Sequence, residues 1–243
     1  ADHNPCIFLK KDDGECIGMN LVYSGNHREL VEVSPYGKIR VMTGINPATF
    51  SWDLSPQDRF QSPEAVLTYS HQGMNGASQN FHHFINNHIV RGTWKLRERP
   101  VLINNWEATY FNFNEDKLLS LAKESADLGI ELFVLDDGWF GLRNDDTTSL
   151  GDWTVNPKKL PSGLAGLSLE VHRLGMMFGL WVEPEMVSIE SQLYKKHPDW
   201  MIAIPGRRPS VGRNQYILDL SRQEVRDHLF KNLSETWHLA DVN

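Results

Sequence analysis

The stretch Ile130-Glu-Leu-Phe-Val-Leu-Asp-Asp-Gly-Trp-Phe-Gly141 decides the fold class of this chain. Residues 130–135 form a short apolar run with β-branched and aromatic side chains, which is typical of a buried strand. Two carboxylates, Asp136 and Asp137, follow directly, and Gly138 allows the chain to turn. A parallel α/β barrel keeps its chemistry at this position, just after the last apolar residue of each strand.

The same pattern recurs on both sides of this stretch. Residues 101–103 predict a strand before it, and residues 176–182 predict a strand after it. Three amphipathic helices are predicted after the three strands, over residues 115–128, 163–174 and 221–239, the last of them capped by Ser221. Strands that alternate with helices of this length predict a parallel sheet with crossover helices.

About three β/α units are present, whereas a (β/α)₈ barrel needs eight. An open sheet of three strands would leave an unpaired edge and an uncovered core. We therefore expect the barrel to continue in sequence outside this chain. The predicted fold class is α/β, with an N-terminal antiparallel β-sandwich remnant followed by the first part of a (β/α)₈ TIM barrel.

The N-terminal part has a different pattern. Residues 16–23 and 29–33 predict short strands, and the turns between them are too short for crossovers, which favours antiparallel pairing. Apolar residues then fall on one helical face between residues 77 and 96. We therefore predict three segments, namely part of a β-sandwich domain over 1–76, a linker helix over 77–99, and the first part of the barrel over 100–243.

The composition excludes several classes of partner. A net charge of −7 at pH 7 argues against nucleic acid or an anionic membrane. No apolar run approaches the roughly 20 residues that a membrane span needs. Cys6 and Cys16 flank a turn and could pair across a hairpin. Two thiols in a chain of this length are nevertheless typical of a reducing compartment, so we predict free thiols and a cytoplasmic location.

Polar and aromatic residues follow each of the three predicted barrel strands, in the segments 104–107, 135–141 and 180–185. Each segment holds a tryptophan and at least one carboxylate. Indole rings can cover the apolar C–H face of a sugar, and carboxylates accept strong hydrogen bonds from its hydroxyls. One such segment has an ordinary structural explanation, because Asp-Asp-Gly also forms turns. Three in succession indicate a single sugar pocket.

Spacing alone leaves the role of these carboxylates open. Asp136 with Asp137, or Glu183 with Glu185, could supply the acid and the nucleophile of a glycosidase, or a fixed clamp for hydroxyls. Asp152, in the long loop after the second barrel strand, has an equally open role, either as a substrate contact or as an internal anchor.

The histidines of the predicted linker helix do not form a metal site. His82 and His83 point about 100° apart on a helix, and neither lies four residues from His88. No metal site is therefore predicted from these residues.

The chain resembles the α-galactosidases of glycoside hydrolase family thirty-six, in clan D. Several long motifs in fixed order carry this resemblance: Asn-Asn-Trp-Glu-Ala-Thr-Tyr-Phe (104–111), Leu-Asp-Asp-Gly-Trp-Phe-Gly (135–141), Leu-Gly-Asp-Trp (150–153), Leu-Trp-Val-Glu-Pro-Glu-Met-Val (180–187) and Gly-Arg-Asn-Gln (212–215). The N-terminal part also matches, notably in Leu-Val-Tyr-Ser-Gly-Asn (21–26). The resemblance spans nearly the whole chain.

The resemblance implies a role for five residues. Asp136 and Asp137 would hold the 4- and 6-hydroxyls of galactose, Trp106 and Trp181 would line the same subsite, and Arg213 would reach into the site near the nucleophile. In this family the nucleophile is an aspartate on the fourth strand, and the acid/base is another aspartate further on. Neither lies within this chain, so no catalytic residue is predicted and the chain alone is expected to be inactive.

The implied reaction is the release of terminal α-linked galactose, with retention, from raffinose- or melibiose-type sugars. Two alternatives stay open, an α-N-acetylgalactosaminidase and a non-catalytic galactose-binding fragment. Two carboxylates suffice for the chemistry, so no cofactor and no metal are predicted. The resemblance also implies a homo-oligomer for the full-length protein.

Overall fold

The structure is a computed structural model that describes residues 3–48 and 50–242. The chain divides after Glu98 into two compact units. Within the described ranges, no helix is both long and apolar enough to cross a membrane.

The first unit is built mainly from antiparallel strands. Its five strands are β1 (Cys6–Lys10), β2 (Cys16–Val22), β3 (His27–Val33), β4 (Ile39–Ile45) and β5 (Glu64–Ser70). The order β1-β2-β5 forms a three-stranded sheet, and β3 pairs with β4 as a hairpin. The antiparallel pairing predicted for this part is confirmed, but β2 and β3, the two strands predicted from the sequence, pair with other strands and not with each other.

Cys6 and Cys16 are unpaired thiols, as predicted. The antiparallel register sets Cys6 opposite Asn20 and Cys16 opposite Lys10. The two cysteines are therefore not cross-strand neighbours, and a disulfide between them would require β1 and β2 to change register.

The predicted linker helix lies within the first unit. Helix α1 spans Gly73–Phe84 and continues into a π-helical turn over Ile85–Ile89. Its buried Phe81 packs against Phe8 of β1, with ring centroids 6.0 Å apart. A Cβ atom on Gly18 of β2 would come within 2.7 Å of the Phe81 ring, so the helix approaches the sheet closely. The sheet thus covers Phe81 and anchors the helix to the first unit, whereas Ile85 and Ile89, further along the predicted apolar face, stay exposed.

The second unit contains a parallel sheet with helices after its strands. The strands β6 (Leu102–Asn104), β7 (Leu132–Leu135) and β8 (Met177–Leu180) pair in this order. The helices are α2 (Trp106–Thr109), α3 (Glu115–Asp127), α4 (Gly163–Arg173), α5 (Gln192–Lys196) and α6 (Gln223–Ala240), and a short ladder joins β9 (Met186–Val187) to β10 (Tyr216–Ile217). Three β/α units are therefore present, as the sequence predicts for the start of a barrel.

Apolar side chains of the sheet and of the helices form one core in this unit. Phe133 and Leu135 of β7 and Phe178 of β8 are fully buried, together with Leu118 of α3 and Leu167 of α4. The parallel register brings the carboxyl ends of the three strands to the same edge of the sheet. The residues that follow the strands are therefore neighbours.

The predicted start of the last helix is wrong by two residues. Helix α6 begins at Gln223, and the residue before it, Arg222, makes no side-chain cap. The Ser221 hydroxyl donates instead to Asp219 Oδ1 at 2.6 Å. Ser221 has the residue type of a cap, but its hydroxyl is used in the turn that precedes the helix. Asp219 therefore has a structural role in this turn.

Candidate functional site

Asp136 lies at the carboxyl end of β7 and is held by the residues that end β6. Its Oδ2 accepts a hydrogen bond from Asn104 Nδ2, and its Oδ1 accepts from the Asp137 amide at 2.6 Å. The Asp136 amide itself donates to Asn105 Oδ1 at 2.8 Å. The half-buried carboxylate is thus fixed in orientation, while each of its oxygens keeps a lone pair for another donor.

Asn104 and Asn105 connect Asp136 to the first tryptophan of the site. Asn105 is fully buried, and its Nδ2 donates to Thr109 Oγ1 at 2.8 Å. Asn104 Oδ1 accepts from the Trp106 amide at 2.7 Å. The Asn-Asn-Trp motif therefore acts as a support for Asp136, a role that the sequence analysis did not predict.

Asp137 forms a buried ion pair with Arg143. Arg143 Nε donates to Oδ1 at 2.9 Å, and Nη2 donates to Oδ2 at 2.7 Å. Arg143 is fully buried and Asp137 is 5% exposed. A two-bond pairing of this kind fixes the carboxylate plane, and it occupies one lone pair on each oxygen. Arg143 Nη1 donates further, to the carbonyl of Thr148 at 2.9 Å.

Arg143 was not predicted from the sequence. The residue lies in the loop between β7 and α4. A loop has no regular spacing of apolar residues, so its sequence does not indicate which side chains are buried. Its guanidinium also lies over the rings of Phe111 and Phe140, with its carbon 5.6 and 5.9 Å from the two centroids. These contacts partly replace the water that the cation loses on burial.

Lys159 is a second buried cation beside the site. Its Nζ donates to three backbone carbonyls, those of Phe111 at 3.0 Å and of Gly138 and Arg143 at 2.9 Å each. Burial lowers the pKa of Lys159 to about 8, and the nearby charge of Asp137 opposes this shift. The ammonium group ties the loop after β7 to the segment after β6.

Lys159 is expected to give the stability of this chain a specific pH dependence. Between about pH 8 and 10.5 the unfolded chain keeps a proton on Lys159 that the folded chain has lost. The free energy of unfolding therefore rises with pH across this window. The expected rise is about 1–3 kcal/mol, because each unit of pKa shift corresponds to about 1.4 kcal/mol. It should be absent in Lys159→Met, measured by denaturant unfolding at a series of pH values. Parallel profiles for the two proteins would contradict this assignment.

Trp106 and Trp181 flank the aspartates on the two neighbouring strand ends. The half-buried Trp106 ring makes edge contacts with Tyr110 and Phe111, with centroids 5.3 and 5.0 Å away. The Trp181 amide donates to the carbonyl of Leu135 at 2.8 Å, one residue before Asp136.

Three buried aromatic residues, Trp139, Phe140 and Trp153, form a cluster next to Trp181. Trp139 Nε1 donates to the Trp181 carbonyl at 3.0 Å. The rings of Phe140 and Trp181 are nearly parallel, with centroids 6.4 Å apart, and Trp153 packs on Phe140 at 4.6 Å. Trp139, Phe140 and Trp153 are buried, so they belong to the core. Trp181 remains half-buried, with part of its surface available to a ligand.

Arg213 is the most exposed of the five predicted site residues. It has a left-handed backbone, with φ of 52°, in the loop before β10. Its charge acts on Glu183, which follows β8. Burial raises the pKa of Glu183 above its usual range, whereas the hydrogen bond from Gln215 Nε2 at 3.0 Å and the charge of Arg213 oppose the rise. Hydrogen bonds connect the strand ends that carry Asp136, Asp137, Trp106 and Trp181. Arg213 is linked to this region through the effect of its charge on Glu183.

Asp152 is an internal anchor. Its two carboxylate oxygens accept hydrogen bonds from the Gln192 amide at 2.8 Å and the Leu193 amide at 2.9 Å, at the start of α5. Ser191 Oγ accepts from the Tyr194 amide at 3.0 Å and completes the cap. Burial raises the pKa of Asp152, and the two amide hydrogen bonds oppose that rise. The structure thus favours the second of the two roles that the sequence left open.

Asp152→Ala is expected to lower the free energy of unfolding by about 1–2 kcal/mol, the usual cost of removing a helix cap. The reason is that two amides at the start of α5 lose their acceptor. Denaturant unfolding followed by tryptophan fluorescence measures the change. Asp146→Ala, in the same loop but outside any helix cap, is the control. Equal midpoints for the two variants would show that the cap contributes nothing.

Comparison with known proteins identifies the family. Residues 59–243 match the melibiase family, and residues 1–55 match the glycosyl hydrolase family 36 N-terminal domain. The chain is 56% identical over 244 residues to the α-galactosidase AgaA of Geobacillus stearothermophilus, covering 98% of this chain and 34% of that protein. It is 53% identical to the α-galactosidase Mel36A of Lactobacillus acidophilus, covering 96% and 31%.

Solved structures agree with this result. The α-galactosidase of Lactobacillus brevis superimposes with a TM-score of 0.96 at 52% identity, covering 98% of this chain and 33% of that one. A variant of AgaA in complex with stachyose superimposes with a TM-score of 0.96 at 52% identity, covering 99% and 34%. The chain thus spans about a third of the length of the relatives that it matches. With both of its units matched, the chain belongs to glycosyl hydrolase family 36.

Proposed function

We propose that this chain supplies the galactose-holding side of an α-galactosidase active site in the full product of its gene. The observation that carries the proposal is the fixed Asp136 carboxylate, placed between Trp106 and Trp181 at the edge where three parallel strands end. Its relatives support the substrate class, because AgaA and Mel36A are α-galactosidases and AgaA variants are known in complex with stachyose and raffinose.

The site suits galactose for a stereochemical reason. The 4-hydroxyl of galactose is axial and that of glucose is equatorial, so a carboxylate with a fixed plane can bond one epimer and not the other. Asp136 has this fixed plane, and it has lone pairs that the protein does not use. Trp106 and Trp181 offer indole surface to the apolar face of the ring. The proposal assigns the direct hydroxyl contact to Asp136.

Asp137 and Arg213 have secondary roles in this proposal. Asp137 keeps one lone pair on each oxygen beyond its bonds to Arg143, which is enough to accept from a second hydroxyl. Arg213 lies on an exposed loop, from which its cation reaches the region of Glu183. In the full gene product, this cation would help to balance the negative charges around the bound sugar.

The proposed reaction is a double displacement with retention. A carboxylate attacks the anomeric carbon, the glycosidic oxygen leaves with a proton from a second carboxyl group, and water then releases galactose. From the family resemblance, we expect both of these groups to lie outside residues 1–243. The proposal also includes a cytoplasmic location, supported by the two unpaired thiols. A homo-oligomeric full-length protein is proposed from the family resemblance alone. The named relatives are α-galactosidases, so an α-N-acetylgalactosaminidase is not favoured.

The full gene product is expected to hydrolyse an aryl α-galactoside much faster than the matching α-N-acetylgalactosaminide or α-glucoside. The 243-residue chain, assayed in parallel, is expected to be inactive. If the full product did not hydrolyse the galactoside, the proposal would be wrong, and the Asp136 carboxylate would have to bind a different ligand. If the short chain turned over, the catalytic carboxylates would lie among the residues assigned here to binding.

A further inference from the structure

Three potential metal ligands meet in the first unit. One ligand atom each from His3, His27 and Glu29 lies within 4.8 Å of the other two. His27 and Glu29 are two residues apart on β3, so their side chains leave the same face of the strand. His3 comes from the segment that precedes β1. The cluster is invisible in the sequence, because 23 positions separate His3 from the start of β3 at His27.

His27 holds a nitrogen that lacks a partner. Its Nε2 atom is buried and makes no hydrogen bond to any described residue. Buried polar atoms are almost always paired, so an unpaired one with a free lone pair is a candidate ligand for an ion. The imidazole ring of His3 lies against that of His27, with centroids 5.1 Å apart and planes inclined by 24°. Two ring nitrogens can therefore turn toward one ion with small rotations of the side chains.

The carboxylate of Glu29 is already oriented by a neighbour. Thr43, directly opposite on β4, donates from Oγ1 to Glu29 Oε1 at 3.3 Å. Hydrogen bonds of this kind to a ligating carboxylate are a regular feature of metal sites, since they hold the ligand in place. The second oxygen of Glu29 remains available to an ion.

The cluster opens into a cleft with room for further ligands. The cleft has a volume of about 550 Å³ and is lined by the three residues together with Cys6, Ile7, Arg28 and Asn46. Water is a suitable fourth ligand. Arg28 also lines the cleft, but it alternates with His27 and Glu29 along β3, so its side chain leaves the strand on the opposite face.

We propose that His3, His27 and Glu29 bind a divalent cation of the zinc class. Two imidazoles and one carboxylate, with one position open, form a ligand set that Zn²⁺ uses in proteins, and imidazole also suits Cu²⁺ and Ni²⁺. An ion bound here would fasten the segment before β1 to the β3–β4 hairpin. All three ligands lie in the first unit, whereas the five predicted galactose-site residues lie in the second.

The direct test is a titration of the metal-free, tag-free chain with Zn²⁺ against a chromophoric chelator. The wild type is expected to bind one Zn²⁺ per chain. His3→Gln, His27→Gln and Glu29→Gln should each weaken binding by at least about 100-fold, and Thr43→Val by about 10-fold, because outer contacts usually cost 10–100-fold. His82→Gln, which replaces an exposed histidine of α1, should leave the affinity unchanged.

His3→Gln also keeps the test decisive if the variants of β3 fail to fold. His3 is exposed and precedes the first strand, so its replacement should leave the fold intact. Zn²⁺ should raise the melting temperature of the wild type and not that of His3→Gln. The absence of stoichiometric binding in the wild type would overturn the proposal. So would equal affinities in the wild type, His3→Gln and His27→Gln.

Discussion

Replacing Arg143 with methionine is expected to lower the free energy of unfolding by about 3–5 kcal/mol, the usual effect of removing one partner from a buried ion pair. Methionine can fill part of the volume of the arginine side chain but makes none of its hydrogen bonds. The carboxylate of Asp137 then stays buried without its two donors, and the carbonyl of Thr148 also loses one. Guanidinium unfolding followed by tryptophan fluorescence gives the change directly.

A matched control separates burial from charge. Arg222 pairs with the carboxylates of Asp199 and Glu224, but these ion pairs lie at the surface. Water can solvate both carboxylates when Arg222 is removed, so Arg222→Met should change the unfolding free energy far less than Arg143→Met. Similar effects for the two variants would show that Asp137 gains water or protons when its partner is lost.

The double variant Asp137→Asn with Arg143→Met tests the origin of the cost. If the cost comes from an uncompensated buried charge, neutralising Asp137 should recover part of the lost stability. If no stability returns, the loss comes from the packing of Arg143 against Phe111 and Phe140. The comparison matters for function, because Asp137 directly follows Asp136 in the chain. Arg143 fixes the position of Asp137 and so contributes to the position of Asp136.

The parts of the fold that the sequence predicts are those with a local signal. β7 and the Asp136–Asp137 pair were predicted because a buried strand and the turn after it lie next to each other in the chain. Arg143 and Lys159 carry no such signal. Both lie in the loop between β7 and α4, and their partners are set by how this loop folds back on itself.

The errors of interpretation have the same physical cause. The pattern before β6 indicates that one helical face is apolar, but it does not say what covers that face: the sheet of the first unit covers Phe81, whereas Ile85 and Ile89 stay exposed. Ser221 has the residue type of a helix cap, yet Asp219 takes its hydroxyl and the helix begins two residues later. Periodicity and residue type therefore predict the element, whereas tertiary contacts decide its boundaries and its role.

Replacing Asp136 with alanine in the full gene product is expected to lower kcat/KM for an aryl α-galactoside by about 10–150-fold. The estimate corresponds to one hydrogen bond to a charged group, about 1.5–3 kcal/mol. Asn104 and Asn105 would remain in place, so the loss concerns the carboxylate and not the shape of the strand ends. Initial rates at low substrate concentration measure kcat/KM.

Two further variants isolate the charge of Asp136 from its position. Asp136→Asn keeps the shape of the side chain, and its carbonyl oxygen can accept only a neutral hydrogen bond, so its loss should be smaller than that of Asp136→Ala. Asp127→Ala removes an exposed carboxylate at the end of α3, before β7 begins. This residue lies at the opposite end of the strand from Asp136, so its removal should leave kcat/KM unchanged.

The ratio of galactoside to glucoside activity decides whether Asp136 recognises the axial hydroxyl. A carboxylate that bonds this hydroxyl stabilises the galactoside and leaves the glucoside without a partner, so Asp136→Ala should lower the first activity more than the second. The ratio of the two kcat/KM values should therefore fall. If both activities fell by the same factor, with thermal stability unchanged, Asp136 would orient its neighbours and another group would distinguish the epimers. Since its lone pairs are left open between two half-buried indoles, we expect the ratio to fall.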